Sequence, residues 1–337
     1  MSDAPQLCVI PGDGIGQEVI PVAVQVLQTA LPGLQVTTAQ AGWQTFQQTG
    51  TALPAATLET ARRCGAVLFG AVASPAHAVP GYHSPIVALR RELDVFANLR
   101  PTRAWPGLGG CLTIDLLVVR ENTEGEYSGR ERREGDQAIS ERVISRQGSE
   151  RVARVAYRLA AEAGRRVTIV HKANVLRISD GLWREACLSV AHEYPQVPTD
   201  EGLVDSVAYH LARQPDRYQL LLCPNLYGDI LSDLAAAFAG GLGMAPSISL
   251  GSRYAIAEPV HGSAPDIAGK GIANPLGAIL SAALLARYVW GRPEAAERIE
   301  AAVAHVLAAG LRTPDLAAPG QAVVGTEQLG RAVLEMI

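Results

Sequence analysis

Short, continuous apolar runs rich in Val, Ile and Leu alternate along this chain with longer helix-like segments. The runs predict strands over residues 7–11, 66–71, 116–120, 167–171 and 218–223. The segments between them predict helices over 17–30, 86–93, 149–163, 180–193 and 228–238. A strand solvated on one face alternates apolar and polar residues, whereas one buried on both faces does not. Unbroken strands separated by helices therefore imply a largely parallel sheet covered on both faces, an α/β fold. With 337 residues, 48% of them hydrophobic, the chain has enough material for two domains or one large α/β unit.

Composition argues against several function classes. The formal net charge is −4, aromatics are 5% of residues, and no basic stretch carries interleaved aromatics. Nucleic-acid binding is therefore disfavoured. The longest apolar helix-like run, 276–290, contains Gly277, Ser281 and Arg287 and falls short of the roughly 20 apolar residues that span a bilayer. The first residues show no basic region or signal-peptide core, so a cytoplasmic location is expected, with no membrane partner. Cys8, Cys64, Cys111, Cys187 and Cys223 are odd in number and form no CxxC pair; they read as buried thiols in a reducing compartment.

One segment interrupts the alternation. Residues 128–148 are dense in charge, with Arg130, Glu131, Arg132, Arg133, Glu134 and Asp136 close together. Such a stretch cannot fill a core. It reads either as a solvated loop or hairpin, or as an arm that pairs with another subunit.

The residue types able to carry chemistry lie at strand ends and helix starts. Asp229 and Asp233 are four apart in Asn225-Leu226-Tyr227-Gly228-Asp229-Ile230-Leu231-Ser232-Asp233, so a helix there puts both carboxylates on one face. A hard divalent cation relieves their repulsion, although acidic residues at a helix start are also favoured by the helix dipole. Arg90 and Arg91 end a helical turn, Arg100 lies in Asn98-Leu99-Arg100-Pro101, and Arg120 ends the strand over 116–120. Strand ends face the crevice where open α/β sheets bind ligands, and guanidinium groups grip carboxylates with two hydrogen bonds. A single arginine is more often a surface ion-pair partner. Lys172 ends the strand over 167–171 and Tyr127 follows a polar stretch after Arg120; both can move protons. Singly, each reads equally as a snorkelling or core-edge side chain.

Two glycine-rich stretches invite a cofactor reading. Gly12-Asp13-Gly14-Ile15-Gly16 follows the first strand, but its spacing is GxGxG and no acidic residue ends a second strand at the expected distance. A tight turn explains these glycines equally well. The stretch Glu258–Asn274 is the better candidate. Its Gly, Ser and backbone amides can cradle phosphates, and Asp266 can accept hydrogen bonds from a ribose 2′-hydroxyl while repelling a 2′-phosphate.

Taken together, these motifs resemble the metal-dependent β-decarboxylating 2-hydroxyacid dehydrogenases, the family of isocitrate, isopropylmalate, homoisocitrate and tartrate dehydrogenases. The resemblance runs over essentially the whole chain. It rests on Gly12–Gly16, Ala97-Asn98-Leu99-Arg100-Pro101, Val119–Tyr127, Lys172-Ala173-Asn174-Val175, Asn225–Asp233 with Gly240-Gly241-Leu242-Gly243, and Glu258–Pro275. It implies an isopropylmalate dehydrogenase-like two-domain fold, not a standard Rossmann fold. A discontinuous cofactor-side domain would comprise 1–99 and 241–337. A metal and dimerisation domain would comprise 100–240, with an arm over about 128–148. It further implies a homodimer or homotetramer with shared active sites. Metal ligands for Mg²⁺ or Mn²⁺ would be Asp229 and Asp233 from one subunit and Asp205 from another. Arg90, Arg100 and Arg120 would bind substrate carboxylates. Tyr127 and Lys172 would be the acid–base pair, with Lys172 from the partner subunit. Asn174 would lie between substrate and nicotinamide. NAD would sit on His261, Gly262, Ser263, Ala264, Pro265, Asp266 and Asn274, which makes the GxGxG turn a decoy that borders the cofactor.

The resemblance also bears on substrate. Ser74 and the segment up to Arg91 would read the variable arm of a 2-hydroxy acid. The run Pro80-Gly81-Tyr82-His83-Ser84-Pro85-Ile86-Val87-Ala88-Leu89-Arg90-Arg91, together with Asn122, is most similar to homoisocitrate-type members. Val87 would line the path of the extra methylene, with His83 or Ser84 near its end. The expected reaction is conversion of homoisocitrate to 2-oxoadipate, as in lysine synthesis through aminoadipate. Isopropylmalate and isocitrate are the rival substrates within the family. A nucleotide-binding regulatory homologue without turnover is the rival of a different class.

Overall fold

The computed structural model describes residues 4–75, 77, 79–109 and 113–337. Its strands are β1 (Gln6–Gly12), β2 (Gln35–Thr38), β3 (Ala66–Ala71), β4 (Ala97–Arg103), β5 (Asp115–Glu121), β6 (Glu131–Glu134), β7 (Gln137–Ser140), β8 (Val167–His171), β9 (Thr199–Leu203), β10 (Leu220–Cys223), β11 (Pro246–Leu250) and β12 (Ala255–Pro259). The chain forms two compact units. The first is Met1–Asp94 with Trp105–Gly110 and Ala239–Ile337; the second is Val95–Ala104 with Cys111–Phe238. The division falls before β4 because β4 pairs with β5 along its whole length, from Ala97 opposite Glu121 to Arg103 opposite Asp115.

In the first unit the strands run β2-β1-β3-β12-β11. All neighbours are parallel except β11 and β12, which are antiparallel. The strands that read as unbroken apolar runs are the buried ones: β3 is buried at every residue. The helix Leu276–Tyr288 is buried continuously from Leu276 to Ala286 and packs on β11, β12 and the helices Gly16–Ala30 and Pro293–Ala308. A helix apolar on all sides belongs inside a large core. That accounts for the long apolar run over 276–290, and no helix among the described residues is long and apolar enough to cross a membrane.

The turn after β1 needs its three glycines for space, Gly16 included, where a Cβ would lie 2.1 Å from the Pro11 carbonyl oxygen. Gly12 and Gly14 have φ of +74° and +57°. A Cβ at Gly12 would lie 2.0 Å from the Ala71 carbonyl oxygen, and one at Gly14 would lie 2.1 Å from the Ser263 carbonyl oxygen. The turn is a packing device against β3 and the 261–266 loop.

In the second unit the order is β4-β5-β10-β8-β9, with β4 antiparallel to β5 and the rest parallel. Ile114, Leu116, Val118, Val170, Leu221, Leu231 and Ala235 share one core under the helices Val204–Arg213 and Asn225–Ala236. The helix Arg146–Ala163 buries its own Val152, Ala156 and Tyr157. It starts at Ser145, whose hydroxyl accepts the Gly148 N–H at 2.9 Å. This N-cap is worth roughly 1 kcal/mol. The charged segment forms an exposed antiparallel hairpin, β6–β7, turning at Gly135 with φ of +60°.

Cys8, Cys187 and Cys223 are buried free thiols, and burial pushes Cys8 up to about 12. Cys64 is a correction. It ends the helix Ala55–Cys64 and is only half-buried. Cys111 lies outside the described residues.

Candidate active site

The densest polar cluster of the second unit forms where β4, β5 and the helix Asn225–Ala236 meet. Arg120 lies near the end of β5, opposite Cys223 of β10, and is 1% exposed. Its Nε and Nη2 donate to Asn225 Oδ1 at 3.0 and 2.7 Å, and its Nη1 donates to Asp229 Oδ1. Arg100, on β4, donates from Nε to Asn98 Oδ1 and from Nη1 to Ser232 Oγ, both at 2.8 Å. The same Nη1 lies 3.1 Å from Asp229 and 3.2 Å from Asp233. Tyr127 donates its hydroxyl to Asp229 Oδ2 at 2.5 Å, and the Arg120 guanidinium lies 5.0 Å from its ring centre.

Helical spacing explains the convergence. Asn225, Asp229 and Ser232 are four and three residues apart and so share the face turned to the sheet. Gly228 lets that face approach. A Cβ there would lie 2.7 Å from Cβ and Cγ of Arg120. Asn225 also donates from Nδ2 to the Glu124 carbonyl at 3.0 Å, anchoring the segment that leads into Tyr127.

Electrostatics define what this cluster can accept. Two carboxylates face two guanidiniums, so the group is neutral as it stands. Burial, followed by the hydrogen bond to Asp229, raises Tyr127 above the ordinary phenol range. Asp233 is also raised, by burial and by Asp229, against the opposing pull of Arg100. A carboxylate ligand would draw the arginines away and leave Asp229 and Asp233 uncompensated. A hard dication arriving with it balances the two aspartates and takes oxygen ligands, so the donor set fits Mg²⁺ or Mn²⁺. Among the described residues no three His, Cys, Asp or Glu side chains converge in a way that could hold a metal within one chain. Asp205 forms a separate pair with Lys172, whose Nζ donates to it at 2.5 Å. That hydrogen bond holds Asp205 below the usual carboxylate range. Asn174 is exposed in the turn that follows Lys172.

A further network ties these groups together within the second unit. Asp180 is completely buried, and its Oδ2 accepts the backbone N–H of Lys172 at 2.6 Å. Arg142 Nε lies 3.1 Å from Asp180 Oδ1, and Arg142 Nη1 donates to Glu126 at 2.6 Å. The same guanidinium stacks 4.3 Å over the ring of Tyr227, two residues before Asp229.

The remaining candidates belong to the first unit. Arg90 donates from Nη2 and Nε to Glu258 Oε1 at 2.6 and 3.2 Å. Val87 is half-buried one turn earlier on the helix Pro85–Glu92, whereas His83 and Ser74 are exposed in loops. In the 261–274 loop, His261 Nδ1 lies 3.0 Å from the Gly262 carbonyl. Its Nε2 is buried without a hydrogen-bond partner among the described residues, and burial lowers its pKa. Ala264 has a φ of +41°, a left-handed conformation. Gly262, Pro265 and Asp266 are exposed; Ser263 is buried and its carbonyl accepts the Ile15 N–H at 2.9 Å. Asn274 accepts from Leu276 N at 3.0 Å and donates to Asp315 at 3.1 Å. Glu18 holds the loop further on, accepting Gly269 N at 2.6 Å and Gly271 N at 2.8 Å.

The sequence did not single out Asn225, Ser232, Asn98, Glu258, Asp315, Glu18 or Asp180. Asn225 and Ser232 were signalled by helical spacing from Asp229. Glu258 was not, because it lies 168 residues from Arg90. Asn122 lies in the second unit, away from the candidate cluster's hydrogen bonds described above. Its Nδ2 donates to the Val95 carbonyl at 3.2 Å and it is 6% exposed, a structural duty at the start of the β4 segment.

Comparison with known proteins identifies the family. Residues 6–333 match the family model described as isocitrate/isopropylmalate dehydrogenase. An isocitrate/homoisocitrate dehydrogenase of Thermus thermophilus is 50% identical over 98% of both chains. A 3-isopropylmalate/3-methylmalate dehydrogenase of Methanocaldococcus jannaschii is 45% identical, covering 98% of this chain and 99% of that one. The crystal structure of an isocitrate dehydrogenase from Methylococcus capsulatus superposes with a TM-score of 0.93 at 40% identity, over 98% of both chains. The chain therefore belongs to the isocitrate/isopropylmalate dehydrogenase family and is a β-decarboxylating dehydrogenase with the fold of that family.

Proposed function

We propose that the protein catalyses the NAD-dependent oxidative decarboxylation of homoisocitrate to 2-oxoadipate, with Mg²⁺ or Mn²⁺, in a homo-oligomer with shared active sites. The observation that carries the reaction class is the neutral cluster of Arg100, Arg120, Asp229, Asp233 and Tyr127. A substrate with two carboxylates can take the two arginines while a dication takes the two aspartates, so neither set of charges is left unpaired. Isolated buried charges cost several kcal/mol each, so paired entry is strongly favoured over either ligand by itself.

Asp229 and Asp233, with Asp205 of another copy, would hold the metal, which when bound would supply positive charge beside the substrate hydroxyl and its adjacent carboxylate. NAD, held by His261–Asp266, Asn274 and Asn174, supplies the hydride acceptor. Arg90, Arg100 and Arg120 bind substrate carboxylates and orient carbon 2. Lys172 accepts the hydroxyl proton, and Tyr127 delivers a proton to carbon 3 after carbon dioxide leaves. Each of these two transfers is worth typically 10²–10⁴-fold. Lys172 and Asp205 are paired within one chain, which suits their joint delivery to a neighbouring copy's site.

The substrate reading rests on the Pro80–Arg91 segment and on the Thermus relative, whose name includes homoisocitrate. One observation favours a second reading. Val87 is apolar and half-buried, which also suits the branched alkyl group of 3-isopropylmalate, and the Methanocaldococcus relative is named for that substrate. The deciding measurement is catalytic efficiency with homoisocitrate, 3-isopropylmalate and isocitrate, read as NADH formation. Highest efficiency with homoisocitrate supports the proposal; highest efficiency with 3-isopropylmalate replaces it.

A further inference from the structure

We infer that Asp180 is a positioning residue for Lys172. It sets the place of that lysine from within its own chain, so its effect is felt in the site of the neighbouring copy. The inference rests on the proposed sharing of active sites between copies.

The argument begins with burial. Asp180 is 0% exposed, and a buried carboxylate must be matched by donors and positive charge. The structure matches it in a directed way. Oδ2 takes the backbone N–H of Lys172 at 2.6 Å, the first residue after β8. Oδ1 faces Arg142 Nε at 3.1 Å. A short charge-assisted bond to a backbone group fixes the chain at that point more firmly than a side-chain contact does. Asp180 begins the first turn of the helix Ser179–Glu193, whose Trp183 is fully buried and donates its indole N–H to the Val170 carbonyl at 3.0 Å. The helix start and the end of β8 are thus tied at two points, and the Lys172–Ser179 turn is held between them.

The far side of the network reaches the other half of the chemistry. Arg142 is held beside Glu126 by its ion pair and by the Gly125–Val143 bridge. Glu126 precedes Tyr127, and Tyr227 under the guanidinium lies two residues before Asp229. Two locations of action are therefore open to Asp180: the Lys172 that the chain gives away, and the Tyr127 that it keeps. The direct bond goes to Lys172. Misplacing a reacting group by about 1 Å can cost ~10²-fold in rate. Asp180→Asn keeps the shape and removes the charge. Its homo-oligomer is expected to lose ten- to a hundredfold in kcat, with KM for the hydroxy acid and for NAD within threefold of wild type.

Mixed oligomers locate the effect. Two differently tagged chains are co-expressed, and species carrying both tags are purified. Tyr127→Phe crossed with Lys172→Ala is the control. If sites are shared, one site of each mixed pair has both groups and activity returns to about half the wild-type value. Asp180→Asn crossed with Tyr127→Phe is expected to recover likewise, because the good Lys172 comes from the Tyr127→Phe chain. Asp180→Asn crossed with Lys172→Ala is expected to stay at about half the low activity of the Asp180→Asn homo-oligomer. The reverse pattern, or a homo-oligomer with kcat within twofold of wild type, overturns the role of Asp180. Failure of the control overturns shared sites instead, and the kcat and KM values of the Asp180→Asn homo-oligomer then decide whether Asp180 positions Lys172 at all. If Asp180→Asn does not fold, Asp180→Glu, which keeps the charge and shifts it by one methylene, takes its place in the same crosses.

Discussion

Tyr127 and Asp229 share a 2.5 Å hydrogen bond from the phenol to Oδ2, while Arg120 engages Oδ1 of the same carboxylate. One aspartate therefore holds a proton donor and a cation at once. Any ligand that claims both oxygens of Asp229 competes with the Tyr127 hydroxyl and with Arg120 Nη1.

Asp229→Asn keeps the shape of this junction and removes its charge. Loss of groups that merely support a metal ligand costs 10–100-fold, so loss of a ligand is expected to lower activity at limiting Mg²⁺ by at least about 100-fold. Titrating Mg²⁺ and Mn²⁺ against initial rate, with circular dichroism as a check of folding, tests this. Near-normal activity of the variant in the presence of a chelator would contradict the metal assignment.

Gly228→Ala probes the approach of helix to sheet. The added methyl would lie 2.7 Å from Arg120 Cβ and 3.2 Å from Cys223 Cβ, and these neighbours sit in the adjacent buried strands β5 and β10. Overpacking of this kind costs about 1–3 kcal/mol. The variant is expected to melt at lower temperature and to bind substrate carboxylate more weakly, since Asp229 and Arg120 move apart together. Unchanged stability would mean that the helix slides freely at this point.

The proposed preference for NAD is tested at Asp266, which is exposed in the 261–274 loop. An acidic side chain accepts from a ribose 2′-hydroxyl and repels a 2′-phosphate. Efficiency with NAD is expected to exceed that with NADP by at least about tenfold, equivalent to about 1.4 kcal/mol. Asp266→Lys should narrow or reverse the ratio. Equal use of both cofactors by the wild type would remove the role of Asp266.

Val87 tests the substrate arm. Arginine at this position offers a cation to a carboxylate and is expected to raise turnover of isocitrate relative to 3-isopropylmalate. Misfit of one alkyl group in an apolar pocket costs only about 1–3 kcal/mol, so the shift is read as a ratio of efficiencies and not as loss of activity. No change in that ratio would place the specificity determinant elsewhere.

His261 predicts a pH dependence of stability. Burial lowers its pKa from the ordinary value of 6.5, although Asp315 pulls the other way. The unfolded chain therefore binds this proton at higher pH than the folded one does. Stability from this group is complete above 6.5 and falls as pH drops below it, until the folded pKa is reached. The slope is at most about 1.4 kcal/mol per pH unit. Denaturant melts between about pH 7.5 and pH 5.5 should show a loss in wild type that His261→Asn does not share. Parallel losses in both proteins would assign the acid sensitivity to other groups.

Much of the site was legible as local pattern. Asp229 and Asp233 were placed on one helix face by spacing, and the helix start at Asn225 extends that face to Asn225 and Ser232 because a 3.6-residue period carries the rule outward. The apolar runs at β3, β8 and β10 predicted strands because burial on both faces removes alternation. β4 was not legible as a strand, since Asn98, Arg100, Pro101 and Arg103 break the apolar run. Its polar residues are tolerated because Arg100 and Asn98 satisfy each other and Ser232.

What the sequence determined by itself was the α/β class, the helix faces, and the residue types able to hold carboxylates, protons and a hard cation. These depend on short-range periodicity and on side-chain chemistry. Only the tertiary structure decided which groups meet. Arg120 engages Asp229 from 109 residues away, Arg90 engages Glu258 from 168, and the β1 turn lies against Ser263. Such partners are selected by strand order, in which β5 neighbours β10 and β3 neighbours β12. Strand order is set by burying every apolar run at once, a property of the whole core that no local window of residues contains.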